Sequence, residues 1–409
     1  MIEWSEEQQA YREALRRFID AEIVPNLEEL EHGDTPPYDV LRKLFSSFGI
    51  TELQRQRFQS QIERAKTAGA GQQVQSPDEG GARSGDMMAM TALLTLELSR
   101  FCPGMVTAMG VSLGLTSAAI QSRGTIAQRE RWVSSLLTLE KIGAWAITEP
   151  GSGSDAFGSM KATARRDGEG GYILNGTKTF ITNGPYADII VFICKLDDGS
   201  EPRERKILSF VLESGLPGLE QSKPLRKMGL HSSPTGEIYV NDVRVGVDRL
   251  LGESESAYGR AGAKETFGTE RSGVVAMALG IVDRCLELSV SYAREREQFG
   301  RPIGEFQLIQ LKLAKMEVAR MNLQNLLFRQ IELSQTGKRL SLAEASACKL
   351  YAAQAAMDVA LEAVQLFGGN GYMAEYQVEQ LCRDAKVLQI YAGTDEIQVT
   401  HIARDLLRG

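Results

Sequence analysis

The chain has 409 residues, 43% hydrophobic and 24% charged, and this length and mixture fit a globular enzyme of two or three structural units. A net charge of −7 with no basic tract argues against a nucleic-acid-binding surface. Five scattered cysteines (Cys102, Cys194, Cys285, Cys348, Cys382) and three distant histidines (His32, His231, His401) offer no metal-ligand spacing and read as a cytoplasmic protein with reduced thiols.

The opening stretch, Met1-Ile-Glu-Trp-Ser-Glu-Glu, is acidic and has no signal-peptide core. From Ser5 to Leu30 apolar residues recur at helical spacing, with Ala10, Ala14, Phe18 and Ile19 on one stripe. Ser5 caps this helix and Pro25 ends or bends it. A second helix is expected from about Tyr38 to Phe48, closed by Gly49. Glu52 to Ala68 is polar and can continue as helix. Gly69 to Gly85 is rich in Gly, Gln and Ser, and such composition cannot offset ordering entropy by burial, so a mobile loop is expected. Helices resume at 86–100, about 105–123 and 126–139, with Thr125 capping the last. The apolar run Gly104 to Ile120 is short and rich in Gly, Ser and Thr, which reads as a buried helix and not a membrane span.

The stretch Trp145-Ala-Ile-Thr-Glu-Pro-Gly-Ser-Gly-Ser-Asp155-Ala-Phe-Gly158 carries the strongest signal. Its glycines let backbone approach a ligand, and Thr148, Ser152 and Ser154 add hydroxyls for ring heteroatoms or phosphate oxygens. Such a donor-rich loop suits a flat polar cofactor with an anionic tail. A lone Gly-Ser-Gly would be an ordinary turn. Beyond Gly158 the pattern alternates. Asn175-Gly176 lies between two short runs, which predicts a hairpin. Asn183-Gly184-Pro185 marks another turn, and 189–194, 207–212 and 236–245 read as strands. These intervals predict a compact β-barrel or sandwich. Phe180-Ile181-Thr182 lies near the first loop, where Phe180 can cover a flat ring or sit in the core.

From about Tyr258 onward the chain reads as helices reaching Glu297, then 307–335 and 341–367, a four-helix bundle. Arg296-Glu-Gln-Phe299-Gly300 closes the first long helix. Arg296 either binds a pyrophosphate bidentately or is an ordinary cation at a helix C-terminus. Gln365-Leu-Phe-Gly368-Gly369-Asn-Gly371-Tyr372 ends another helix, and its glycines fit a helix stop or a backbone near phosphate. Arg383-Asp384-Ala385-Lys386 reads as structural, and Ile390-Tyr-Ala-Gly-Thr-Asp-Glu-Ile397 as a loop entering a final helix.

Together these stretches resemble the acyl-CoA dehydrogenase family over essentially the whole chain. The resemblance implies a mainly α fold with a central β-domain: a helical domain over 1–141, a β-domain over 142–250 and a helical bundle over 251–409. It implies FAD, held in a homotetramer built as a dimer of dimers. Matched positions imply that Trp145, Ile147, Thr148, Gly153, Ser154, Phe180, Ile181 and Thr182 line the flavin. Arg296, Gln298 and Phe299 are implied to contact the FAD of a neighbouring subunit. Gln307, Gln365, Gly368, Gly369, Thr394 and Glu396 match further FAD-contacting positions. Ser154 also matches a substrate-contacting position, and Ala392 and Gly393 fall beside the thioester.

The implied reaction removes an α-proton and a β-hydride from an acyl-CoA thioester and passes electrons to an electron-transfer flavoprotein. It needs a carboxylate at Cα and hydrogen-bond donors for the enolate-like oxygen. Many relatives place a Glu before the Gly-Thr of the late loop, and Ala392 stands there instead. Glu270 is the alternative base. It heads a helical stripe of Gly273, Val274, Met277, Ala278 and Ile281, where poor solvation can raise a carboxyl pKa. A solvated Glu near a helix start is the plainer reading. Yet Gly268-Thr-Glu-Arg271 matches the base position of isovaleryl- and long-chain-type members, which also carry a small residue at the Ala392 position. Arg271 is expected to orient this region, and the Ala392 N–H to help polarise the thioester carbonyl. Gln380, where a basic residue is common, and the segment from Glu52 to Gly85 depart from the family pattern. Carrier-bound acyl substrates, an oxidase on the same fold and a non-catalytic subunit are the competing readings.

Overall fold

The computed structural model describes residues 3–68, 82–256 and 260–408, with the side chains of 68, 82–84, 260–270 and 272 left out. The N-terminal helices are α1 (Glu6–Glu22), α2 (Leu27–His32), α3 (Tyr38–Ser47), α4 (Ile50–Ala68), α5 (Ala82–Ser99), α6 (Pro103–Gly110), α7 (Ala118–Arg123) and α8 (Ile126–Leu137). Capping boxes start α1 and α8: Ser5 with Gln8, and Thr125 with Gln128. A 3₁₀ turn over Val24–Asn26, containing Pro25, separates α1 from α2, so the helix expected to reach Leu30 is two. The buried face of α1 is Gln8, Leu15 and Ile19, not the stripe through Ala10 and Ala14. Residues 82–85 belong to α5, because the apolar run after Asp86 extends the helix backward. The rest of the expected mobile loop, 69–81, lies outside the described residues.

The run Pro103–Arg123 is one helical rod with a π-helical segment at Val111–Ser117, and 67% of its most apolar window is buried within the protein.

The β-domain is a seven-stranded sheet. Its strands are β1 (Gly143–Ala146), β2 (Thr163–Arg166), β3 (Tyr172–Thr182), β4 (Ile189–Leu196), β5 (Ile207–Glu213), β6 (Leu219–Gln221) and β7 (Thr235–Val245). The pairing runs β1-β4-β2-β3-β7-β6, with β5 on the other edge of β4. One continuous sheet is the pairing expected of a barrel wall, not of a two-sheet sandwich. Asn175-Gly176 does not turn. It is a bulge inside β3, where the register against β7 shifts between Leu174 and Gly176. Gly176 has φ 152°, and a Cβ there would lie 2.5 Å from that of Ala162. β2 and β7 pair on either side of this stretch, so the ladder holds it extended and overrides the local turn preference.

The C-terminal unit holds α9 (Arg260–Glu295), a two-stranded hairpin of β8 (Glu297–Gln298) and β9 (Arg301–Pro302), then α10 (Gln307–Gln335), α11 (Leu342–Phe367), α12 (Val378–Val387) and α13 (Asp395–Leu406). Ser341 caps α11 with Glu344. One apolar core joins α9–α12 to the N-terminal helices, and a second fills the sheet together with α4 and α8. Where α5 crosses α9 the backbones nearly touch: a Cβ on Gly280 would lie 2.3 Å from the Leu96 carbonyl oxygen.

Candidate active site

The donor-rich loop leaves β1 and is anchored from beneath. Lys178 on β3 is fully buried and donates to the Ile147 carbonyl (2.9 Å) and to Glu149 Oε1 (2.8 Å). Glu149 also accepts from the backbone N–H groups of Lys161 and Ala162. Its own N–H and carbonyl pair with Ser152, closing the turn. Burial pulls the Lys178 ammonium below its ordinary value, while the Glu149 charge acts the other way. Thr179 N–H bonds the Thr148 carbonyl, tying the loop to the strand that ends in Phe180-Ile181-Thr182. The two predicted stretches are thus neighbours.

Phe180 has φ 57° and is 67% exposed, while Ile181 is buried. That backbone conformation is costly for a bulky side chain. It breaks the strand register between Lys178 and Ile181 and swings the ring out of the core. Asn183 pins the bend. Its amide donates to the carbonyls of Ala108 and Gly143 (2.9 Å each) and accepts from the Tyr38 hydroxyl (3.0 Å). Trp145 and Ile147 are buried, Thr148 and Thr182 half-buried, and Gly153 and Ser154 exposed. A Cβ on Gly151 or Gly153 would meet nothing within 4 Å. Open space, hydroxyls and an exposed aromatic ring fit a flat polar ring system.

A second group gathers at one end of the bundle. Tyr292 stacks on Phe367 at 4.0 Å and its hydroxyl accepts from Asn370. This joins the end of α9 to the Gly368-Gly369 turn. Arg296 follows one turn after Tyr292, and Gln298 and Phe299 form the hairpin beyond it. Phe299 has φ 54° and is 94% exposed. Arg296, Gln298, Gln307, Gln365, Gly368 and Gly369 are exposed as well.

The third group surrounds Ala392. Glu270 lies in α9, but its side chain is outside the described residues. The next residue, Arg271, is buried. It donates to the Ala392 carbonyl (3.4 Å) and to Ser346 Oγ (3.3 Å). The turn of α9 that carries Glu270 therefore packs on the loop at Ala392. Below it, Val274, Met277, Ala278 and Ile281 are buried, whereas Gly273 is exposed. Ala392 and Gly393 have φ 54° and 87°. Thr394 is the N-cap residue of α13, and the Glu396 carboxyl is held below its usual range by hydrogen bonds from its own backbone N–H and Thr394. The sequence pattern marks Glu149 and Asn183 only as turn residues, and gives no role to Lys178 or Gln398. A lysine or an amide at a buried position has no spacing signature, because only the tertiary partner explains it.

Comparison with known proteins agrees over the full chain. The family descriptions "Acyl-CoA dehydrogenase, N-terminal domain", "middle domain" and "C-terminal domain" match residues 5–140, 144–243 and 258–407. An acyl-CoA dehydrogenase of Bacillus subtilis is 36% identical over 99% of both chains. A short-chain-specific acyl-CoA dehydrogenase of Megasphaera elsdenii is 35% identical over 98% of both. The butyryl-CoA dehydrogenase structure from Megasphaera elsdenii superposes with a TM-score of 0.84 at 34% identity, covering all of both chains.

Proposed function

This chain belongs to the acyl-CoA dehydrogenase family of FAD-dependent oxidoreductases, and on that premise we propose that it oxidises an acyl-CoA thioester to the trans-2-enoyl-CoA with Glu270 as base. The observation that carries this reading is the packing of Arg271 on the Ala392 carbonyl. It brings the Glu270 turn of α9 against the loop where many relatives keep their base.

The residues present fit FAD. Trp145, Ile147, Thr148, Gly153, Ser154 and Phe180-Ile181-Thr182 would hold the ring system. Thr394 and Glu396 would hold its extension. When bound, FAD supplies a two-electron acceptor for the β-hydride. Glu270 takes the α-proton, and the exposed Phe180 ring excludes water from one edge of the site. Arg271 holds the loop, so that Ala392 and Gly393 present backbone to the thioester. Ser154 contacts the substrate from the opposite loop.

Arg296, Gln298 and Phe299 serve the FAD of a neighbouring subunit in a homotetramer, and Gln307, Gln365, Gly368 and Gly369 are further FAD-contacting positions. Exposed Phe299 and the exposed stripe of Leu308, Leu311, Val318 and Met321 along α10 support this assembly. Electrons leave to an electron-transfer flavoprotein, a reading carried by family membership alone. The cysteines of the described chain are free thiols, which fits a cytoplasmic location. The test is to purify the protein, read its flavin spectrum and add a panel of acyl-CoAs anaerobically. Bleaching of the flavin with enoyl-CoA formation supports the proposal. A flavin that no acyl-CoA bleaches refutes it.

A further inference from the structure

The turn at Ala392 is held by a side chain that the reaction scheme does not use. Gln398 lies early in α13 and is fully buried. Its amide nitrogen donates to two successive carbonyls, Ala392 at 3.1 Å and Gly393 at 2.8 Å. The opposite amide orientation would set an oxygen against two acceptors, so chemistry settles which end faces the turn. The amide oxygen is buried without a hydrogen-bond partner among the described residues. A buried orphan acceptor costs stability, on the order of 1–3 kcal/mol. Ala392 itself adopts a left-handed conformation that a residue with a Cβ adopts at a cost. The molecule thus combines an unpaired acceptor and a strained alanine in one turn.

Peptide planarity shows what this arrangement achieves. The peptide bonds are trans, so each C=O points opposite to the N–H of the next residue. Drawing the Ala392 and Gly393 carbonyls onto Gln398 turns the N–H groups of Gly393 and Thr394 the other way, out of the core. Neither N–H bonds to another described residue. We propose that Gln398 is a positioning residue: it sets the side on which the turn offers the Gly393 and Thr394 N–H donors to substrate and cofactor, next to the Ala392 N–H. This rests on the dehydrogenase reading above. Arg271 also donates to the Ala392 carbonyl, from the α9 side. Gln398 holds both carbonyls of the turn, and Arg271 ties the turn to α9.

The test compares wild type with Gln398→Met and Gln398→Glu, all loaded with FAD. Met keeps the shape; it removes the orphan oxygen but also the donor to the Gly393 carbonyl, two opposing effects, so the thermal midpoint should change little. Flavin reduction by butyryl-CoA in single turnover should slow, on the order of a hundredfold for donors displaced by an ångström. The red shift of a bound conjugated enoyl-CoA, which reports polarisation of the thioester carbonyl, should shrink. Gln398→Glu keeps one donor only while protonated, so its reduction rate should fall with rising pH where wild type does not. Amide exchange at Gly393 and Thr394 should change in both variants. Gln398→Met with wild-type rate, red shift and amide exchange would overturn the proposal. If wild-type flavin is reduced by no acyl-CoA, the dehydrogenase reading fails, and amide exchange at the turn still judges Gln398.

Discussion

Lys178 Nζ lies 2.8 Å from Glu149 Oε1, with both side chains withdrawn from water beneath the donor-rich loop after β1. The pair joins β3 to the turn that follows β1. Each partner also bonds backbone, so neither charge relies on the other alone. Removing one charge leaves its partner buried and uncompensated, a change that costs roughly 3–5 kcal/mol. Lys178→Met is expected to lower the thermal midpoint and weaken FAD retention together. The double variant Lys178→Met with Glu149→Gln should recover part of the stability. Calorimetry and flavin content report both, and a single variant as stable as wild type would show that the pair is dispensable.

Glu270→Gln removes the proposed proton acceptor and nearly keeps the side-chain shape. Losing one positioned base costs on the order of a hundredfold to ten-thousandfold in rate. Colour and fold should survive. Because Arg271 packs on the Ala392 carbonyl, a carboxylate at 392 should face the same α-carbon. Glu270→Gln with Ala392→Glu is therefore expected to regain part of the lost flavin reduction in single turnover. Near-wild-type reduction by the single variant would remove Glu270 from the mechanism, whereas a dead double variant would refute only the shared geometry.

Phe299 offers a test of assembly. A 94% exposed phenylalanine held at φ 54° spends conformational energy to present an apolar ring to solvent. Phe299→Ala should leave the thermal midpoint of flavin-free protein unchanged and raise the dissociation constant for FAD. Equal FAD affinity in variant and wild type, measured by titration, would mean that the ring touches no neighbour's cofactor.

Glu31 gives a pH dependence with a defined sign. Burial, and then the charge of Asp384, push its carboxyl up to about 8, with Asp384 itself raised by burial. The folded state therefore holds protons that the unfolded state has released. Stability from this group is complete below the ordinary carboxyl range and is lost as pH rises through about 8. Glu31→Gln should flatten the decline in unfolding midpoint between roughly pH 5 and 8. Parallel midpoint curves for wild type and variant over that window would contradict this.

Much of the helical frame was legible because its signals are local. Ser5, Thr125 and Ser341 cap as hydroxyl residues followed by Gln or Glu should, and α10 begins and ends where its pattern does. Asn175-Gly176 misled for the opposite reason. Its turn preference is local, but the pairing that overrides it comes from β2 and β7, strands adjacent in space and not all in sequence. The candidate site divides in the same way. The donor-rich loop after β1 is a contiguous string, and its sequence alone marks it as a candidate. Lys178, Asn183 and Gln398 act across 29, 75 and 6 residues respectively, through contacts that only the folded chain creates.

The π-helical segment Val111–Ser117 packs directly on the start of β1. Ser112 Oγ accepts from the Gly143 N–H at 2.8 Å, and a Cβ on Gly143 would meet the Thr116 side chain at 2.8 Å. A π turn holds about one residue more than an α turn. Deleting a single residue between 111 and 117 would remove that extra residue and let the rod close into plain α-helix, with the helix beyond it kept in phase. Ser112 and Thr116 would then be re-spaced against Gly143. Trp145 stands two residues further along that strand. The extra residue of this rod thus sets its fit against the start of β1, and homologous chains that lack it should seat the loop after β1 differently.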